Sequence, residues 1–138
     1  MDDLFRIANL VVLPGWALLL LVPHWRFTQR VCALALPLLL GSLYIGLMSA
    51  GLGEGGFDSL ENVMKLFRQP RAVLAGWVHY LAFDLFIGAW IVRDAAAAGV
   101  PRWIQAPCLV FTFLLGPVGL SGYFLTKGLM KRQWGPQV

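Results

Sequence analysis

The stretch RAVLAGWVHYLAFDLFIGAWIVRD, residues 71–94, decides the fold class of this chain. It is long enough to cross a bilayer, because a hydrocarbon core about 30 Å thick needs roughly 20 apolar residues in a helix. It nevertheless carries His79, Tyr80 and Asp84 near its middle. A carboxylate at that depth costs roughly 2.5–3.5 kcal/mol even on the most lenient scale. Such a residue normally faces protein or a wet cavity, and it indicates a functional site.

The composition of the whole chain also indicates a membrane protein. Of its 138 residues, 59% are hydrophobic and only 13% are charged, and the mean hydropathy is +0.71. Soluble domains carry about 25% charged residues. The net charge is +4. The basic residues lie near the ends of the apolar runs, where they set topology and contact anionic headgroups. The chain has no basic stripe for nucleic acid, so we expect membrane lipid as its surroundings and no nucleic-acid partner.

Four apolar runs predict four transmembrane helices, at about 4–22, 31–50, 72–92 and 103–127. Backbone polar groups in lipid must be paired internally, so each run is expected to be helical. The predicted fold is all-α, an integral membrane bundle of four transmembrane helices that forms one domain over residues 1–138. Small-residue stripes on these helices leave room for a homodimer.

Basic residues predict the orientation of such a bundle. Four spans place both termini and the middle loop on one side, which then carries seven of the eleven basic residues. These seven are Arg6, Lys65, Arg68, Arg71, Lys127, Lys131 and Arg132. The positive-inside rule therefore favours cytoplasmic termini. The acidic start, Asp2 and Asp3, does not resemble a cleavable signal, so we expect a multi-pass protein of a bacterial inner membrane.

The long connection at 51–70 predicts a short interfacial helix between the second and third spans. Asp58, with Glu61 three residues later, forms a capping signal, and Pro70 ends the segment. The apolar residues of one helix face are Leu60, Val63, Met64 and Phe67. This pattern is typical of a helix lying on a membrane surface. Glu61 is either a solvated carboxylate or a side chain folded over a cavity mouth.

Reading residues 72–92 at 100° per residue separates two faces of the third helix. One face carries Gly76, Tyr80, Phe83, Ile87 and Ile91. The opposite face carries Leu74, Val78, Leu81, Leu85, Ala89 and Val92. We expect the aliphatic face to contact lipid. His79 and Asp84, on the shoulders of the other face, are then expected to belong to the bundle interior.

Asp84 has two open interpretations. Tyr80 lies four residues before it, so the two side chains can hydrogen-bond on one face, and Asp84 then acts as a polar link between helices. Alternatively, Asp84 lines a ligand or proton cavity. Removal from water favours the uncharged form of a carboxyl group, and a neutral acid can donate a proton to an apolar substrate.

The fourth apolar run combines small residues with a proline. Thr112, Gly116, Gly119, Tyr123 and Thr126 share one face, which lets another backbone approach closely. Pro117 is expected to kink the helix and release the carbonyl of Phe113. Aromatic residues within the spans, such as Trp77, Phe83, Trp90 and Tyr123, suit an aromatic-lined slot for a polyene or another isoprenoid.

Neither a disulfide framework nor a metal centre is expected. Cys32 and Cys108 each lie in or beside an apolar run without a CxxC partner, which predicts buried thiols. The chain has only two histidines, which is too few for the usual metal sites.

Three runs carry a family resemblance: LFRQP (66–70), VLAGWVHYLAFDLFIGAWIVRDA (73–95) and LLGPVGLSGYFL (114–125). Here the sequence resembles plant abscisic-acid-deficient-4 (neoxanthin synthase) proteins and their bacterial relatives. The resemblance implies a four-helix membrane protein of xanthophyll metabolism. Plant members convert violaxanthin to neoxanthin by opening a 5,6-epoxide to an allene. The matching positions here are Glu61, Asn62, Trp77, His79, Tyr80, Asp84 and Asp94.

The resemblance leads to a first hypothesis, an intramembrane carotenoid isomerase that needs no redox cofactor. Asp84 would protonate the epoxide oxygen, His79 would remove the vinylic proton, and Tyr80 would orient the carboxyl. Glu61 is a further catalytic candidate. Candidate ligand contacts are Asn62, Trp77, Phe83, Trp90 and Tyr123. The alternative is a carotenoid- or lipid-binding accessory protein without chemistry, and a small proton-coupled transporter is weaker because the two halves show no inverted repeat.

Overall fold

The computed structural model describes residues 1–51, 53–132 and 134–136, which contain six helices and no β-strand. The helices are α1 (Asp2–Leu21), α2 (Arg26–Ser49), α3 (Leu60–Leu66), α4 (Pro70–Ala98), α5 (Arg102–Leu115) and α6 (Pro117–Lys131). Within α2, Val31–Ala35 forms a π-helical turn. The all-α prediction is confirmed, and both cysteines are free and buried, as expected.

Three of these helices, α1, α2 and α4, are long and apolar enough to cross a membrane. With 29 residues, α4 is about 43 Å long at 1.5 Å per residue, which reaches the headgroups on both sides. With 14 and 15 residues, α5 and α6 are only about 21–22 Å long. Neither of them can cross a hydrocarbon core of about 30 Å.

The two short helices fold back on each other as a re-entrant hairpin, here called the hairpin. The chain turns at Gly116, whose φ of 48° and ψ of −98° suit glycine. Past the turn, a Cβ on Gly119 would lie 2.5 Å from the carbonyl oxygen of Cys108 in the preceding arm. At the open end, the Nζ atom of Lys131 lies 3.7 Å from the Cβ position of Gly99. The end of α6 therefore returns to the start of α5.

The prediction of one fourth span over 103–127 is wrong. The small residues do admit a neighbouring backbone, but that backbone is the other arm of the hairpin, since Gly119 packs on the main chain of Thr112. The turn follows from Gly116 and Pro117 together, because glycine permits the reversal and proline cannot continue the helical hydrogen bonds.

The start of α1 lies beside the N-terminal part of α4, where Phe5 packs on Trp77, and the end of α6 lies beside Gly99, just after α4. The start of α1 and the end of α6 are therefore at opposite ends of the bundle. The structure therefore does not support the expectation that both termini lie on one side of the membrane.

The aliphatic face of α4 is buried, and the expectation that it contacts lipid is wrong. All six of its residues are buried: Leu74, Val78, Leu81, Leu85, Ala89 and Val92. Part of this face packs against α1, where Leu85 lies 3.1 Å from the Cβ position of Gly15. The ring of Trp16, also in α1, lies 2.9 Å from the Cβ position of the neighbouring Gly88. Phe83, expected inside, is instead 58% exposed. An apolar face contacts protein or lipid equally well, so periodicity alone does not identify the lipid side.

The short helix between the second and third spans is confirmed as α3. Its N-cap is Ser59, whose hydroxyl accepts a hydrogen bond from the backbone N–H of Asn62 at 3.2 Å. The cap therefore lies one residue after Asp58, the predicted position. Leu60 and Met64 are exposed, which suits a helix lying on a membrane surface.

Candidate functional site

Asp84 is the central residue of α4, with residues 70–83 on one side and 85–98 on the other. Its carboxyl group packs against the turn of the hairpin, because a Cβ on Gly116 would lie 2.9 Å from Oδ1 and 3.0 Å from Oδ2. Oδ2 is buried and has no hydrogen-bond partner among the residues that the structure describes. A buried polar atom without a partner is uncommon and often marks a functional position. Only glycine at position 116 leaves room for this approach.

Tyr80 joins Asp84 to the hairpin. Its hydroxyl donates a hydrogen bond to the main-chain carbonyl of Phe113 at 3.3 Å, and its side chain also interacts with the carboxyl of Asp84. Pro117 has no N–H to offer the Phe113 carbonyl, so the tyrosine occupies the position that the proline leaves open. The prediction that Pro117 releases this carbonyl is confirmed. We call Asp84, Tyr80, Gly116 and the Phe113 carbonyl the tip site.

Trp77 extends the tip site toward the N-terminal side of the bundle. Its ring stacks on Tyr80, with 5.4 Å between centroids and 29° between planes, and its Nε1 donates to the Oδ1 of Asn9 at 3.2 Å. Trp77 is 38% exposed, since the hairpin ends near Asp84 and does not cover this part of α4. The tip site is therefore flanked by the hairpin on one side and by an accessible aromatic pair on the other.

His79 and Phe83 lie in a separate place, a groove of about 450 Å³ between α2 and α4. Its lining residues are Pro37, Gly41, Tyr44, His79, Ala82, Phe83 and Phe86. The rings of His79 and Phe83 stack at 4.5 Å. We call this cavity the α2–α4 groove. His79 lies about 140° around α4 from Asp84, and the structure does not bring the two side chains together.

Glu61 and Asn62 lie on α3, outside both the tip site and the α2–α4 groove. Glu61 forms an exposed ion pair with Lys65 at 2.8 Å, one helical turn away. The side-chain amide of Asn62 donates to both carboxylate oxygens of Asp58 at 3.0 Å. Of the two interpretations of Glu61, the solvated carboxylate fits this position.

A buried cluster links the C-terminal part of α4 to α6. The Tyr123 hydroxyl and the Lys127 ammonium each lie 2.5 Å from Oδ2 of Asp94. The side chains of Lys127 and Asp94 are 0% and 1% exposed. Trp90 packs edge-on against Tyr123, with 6.0 Å between centroids. Tyr123, a candidate ligand contact, is thus fully buried.

Sequence reasoning missed the role of Lys127, which was counted as a basic residue at a helix end. Tyr123 and Lys127 are four residues apart, so they share a face of α6, and a signal was present in that spacing. The sequence did not identify Asp94 as the partner of Tyr123 and Lys127, because Asp94 contacts this face of α6 only when the hairpin folds back. The Asp94 position was matched by resemblance alone.

A family model described as ABA DEFICIENT 4-like matches residues 3–123, which is most of the chain. The matched range contains Asp84, Tyr80, Gly116 and Asp94, and it ends before Lys127. No curated protein and no solved structure matches the chain.

Proposed function

Because the chain belongs to the ABA DEFICIENT 4-like family, we propose that it is an integral membrane protein of carotenoid metabolism that isomerises a carotenoid-type polyene at the tip site. Asp84 is the acid in this proposal. The observation that carries it is the buried Oδ2 atom, which has no hydrogen-bond partner among the described residues. The fold therefore leaves the hydrogen-bonding capacity of this oxygen unused, whereas an oxygen committed to the fold would be paired.

The reaction needs only proton transfers. In opening a 5,6-epoxide to an allene, a proton is added to the epoxide oxygen as its bond to C6 breaks. A second proton leaves the neighbouring vinylic carbon, and the electrons of that C–H bond form the new double bond. A carboxyl group has two oxygens, so Asp84 can donate the first proton from one and accept the second on the other. This assignment replaces His79 as the base, since His79 lies in the α2–α4 groove.

Tyr80 and Trp77 supply the remaining parts of the tip site. Tyr80 fixes the hairpin turn through Phe113 and interacts with the carboxyl that it orients. The stacked rings of Trp77 and Tyr80 present flat apolar surfaces, and these suit a conjugated chain. The hairpin closes the C-terminal half of α4, so the polyene approaches along the N-terminal half.

The test is pigment conversion in bacterial cells that accumulate an epoxycarotenoid. Cells with the wild-type chain are expected to form a new isomer of equal mass, followed by chromatography. Asp84→Asn keeps the shape but removes the acid, so conversion should fall by about 10²-fold or more. Glu61→Gln is the matched control, because it makes the same change on exposed α3, and it should convert normally. Wild-type conversion by Asp84→Asn would contradict the proposal that Asp84 is the acid.

A second candidate function, ligand binding without chemistry, is favoured by the α2–α4 groove. Its volume of about 450 Å³ lies within the usual range of ligand pockets, about 300–1,000 Å³, and Asp84 is not among its lining residues. A Cβ on Gly41 would meet nothing within 4 Å, so Gly41→Leu fills the groove without a clash. Pigment that co-purifies unchanged, survives Asp84→Asn and is lost in Gly41→Leu would support binding alone.

A further inference from the structure

A fully buried ion pair, Lys127 with Asp94, joins the returning arm of the hairpin to α4. Lys127 donates to Asp94 at 2.5 Å and to the Gly135 carbonyl at 2.8 Å, and Tyr123 donates to the same carboxylate. A charged group removed from water must keep its partner, because an unpaired buried charge is very costly. The position of Lys127 along α4 is therefore fixed to within hydrogen-bonding distance of Asp94.

Apolar packing does not fix the depth of α6 in the same way. Side chains that slide along a neighbouring helix in lipid exchange one apolar contact for another. The Thr126 hydroxyl, next to Lys127, bonds to carbonyls of its own helix, those of Gly122 and Tyr123. The Thr126 hydroxyl therefore does not fix the position of α6 along α4. The ion pair between Lys127 and Asp94 does fix it.

The other end of α6 lies at the tip site. Gly116 precedes Lys127 by eleven residues, or about 17 Å of rigid helix, and it packs against the carboxyl of Asp84. We propose that Lys127 is a positioning residue, whose ion pair with Asp94 sets the depth of the hairpin and so holds the turn at Gly116 over Asp84. The inference rests on the proposed function only in taking Asp84 as the acid. The position of the turn is measurable without any polyene.

The probe is dicyclohexylcarbodiimide, an apolar reagent, acting on the purified full chain in lipid vesicles. The proton of a neutral carboxyl passes to a carbodiimide nitrogen, the carboxyl oxygen adds to the central carbon, and an acyl shift to nitrogen gives a stable N-acylurea. Nothing is released, so the modified peptide gains the mass of one reagent molecule. The rate of modification at Asp84, followed by peptide mass spectrometry, reports how well the turn covers this carboxyl. Asp84→Asn confirms the assignment by losing the signal.

Lys127→Met should raise the rate at Asp84 by about tenfold, because an unanchored hairpin opens more often. Lys127→Arg keeps the charge and should stay within about twofold of wild type. Lys131→Met is the matched control, since Lys131 lies on the same helix but is exposed, and it should leave the rate unchanged. Tyr123→Phe, a milder change that keeps the ring, should give an intermediate rate.

The double variant Asp94→Asn with Lys127→Met separates positioning from stability. Removing both charges leaves neither of them buried alone, so the melting temperature should recover relative to Lys127→Met. The anchor remains absent, so the rate at Asp84 should stay high. A rate that returns to the wild-type value with the melting temperature, or a Lys127→Met rate equal to wild type, overturns the proposal. This test does not measure pigment conversion. Failure of the positioning role can therefore be distinguished from failure of the proposed function.

Discussion

The hydroxyl of Tyr80, in α4, donates a hydrogen bond to the main-chain carbonyl of Phe113 in α5, 3.3 Å away. Pro117 cannot donate to that carbonyl, because proline has no N–H. A side chain that the sequence marks as a candidate for chemistry therefore also satisfies the backbone at the point where the chain reverses. The fold and the tip site share this contact, so changes at Tyr80 are expected to affect both.

Tyr80→Phe should lower the free energy of unfolding by about 0.5–1.5 kcal/mol, the usual net value of one hydrogen bond. Interhelical bonds in membrane proteins average about 0.6 kcal/mol, so the lower half of that range is expected. Thermal unfolding in detergent measures the change. Tyr44→Phe is the matched control, because Tyr44 packs by its ring against His79. Its hydroxyl makes no hydrogen bond with any residue that the structure describes. Equal losses in both variants would contradict the role given to the Phe113 carbonyl.

Gly116→Ala should destabilise the hairpin turn by about 1–3 kcal/mol, the usual cost of an unfavourable backbone conformation. Two causes act together: a positive φ of 48°, and a new Cβ placed 2.9 Å from the carboxyl of Asp84. Gly122→Ala is the control, because a Cβ there would meet nothing within 4 Å. It should leave the melting temperature unchanged or raise it. A Gly116→Ala chain as stable as wild type would mean that the turn has another conformation.

The sequence predicted the parts of this fold whose cause is local. Composition and run length indicated a helical membrane protein, and the segment before Pro70 indicated α3. At Pro117 the missing N–H correctly predicted a released carbonyl at Phe113. Each of these depends on a few neighbouring residues or on average hydropathy.

The predictions that were wrong depend on which helix surfaces pack against each other. The run at 103–127 has the length and hydropathy of one span, and only its partner surfaces distinguish a bent helix from a closed hairpin. The face of α4 around Leu85 is aliphatic in either setting, so its burial against α1 could not be read from periodicity. Tyr80 and Asp84 both lie at the hairpin turn, as four residues on one helix allow, but the Tyr80 hydroxyl donates to the Phe113 carbonyl. The pairing of Lys127 with Asp94 required the return of the hairpin.

The corrected orientation of α4 predicts different costs for two neighbouring substitutions. Leu85 is fully buried whereas Phe83 is 58% exposed. Leu85→Ala should leave a cavity against α1 and cost about 2 kcal/mol or more, while Phe83→Ala should stay within about 0.5 kcal/mol of wild type, as is usual for surface changes. Thermal unfolding of both variants in the same detergent measures the difference. If Phe83→Ala proves the costlier change, the aliphatic face is directed toward lipid after all.

The hairpin also changes the membrane orientation that the basic residues predict. If α1, α2 and α4 are the crossing helices, seven of the eleven basic residues lie on the side where α6 ends: Arg26, Arg30, Arg93, Arg102, Lys127, Lys131 and Arg132. The side of the N-terminus carries Arg6, Lys65, Arg68 and Arg71, together with five of the seven acidic residues. For this arrangement the positive-inside rule predicts a cytoplasmic C-terminus and an N-terminus on the outer side.

Labelling with a membrane-impermeant maleimide tests this orientation in intact cells. Glu54→Cys places a thiol in the connection before α3, and Lys131→Cys places one at the end of α6, both at exposed positions. The native thiols of Cys32 and Cys108 are buried, so the unsubstituted chain should remain unlabelled. We expect Glu54→Cys to react from outside and Lys131→Cys to react only after the membrane is opened. Four crossing helices would instead expose both new thiols on the same side, so equal labelling of the two variants would exclude the hairpin as an arrangement within the membrane.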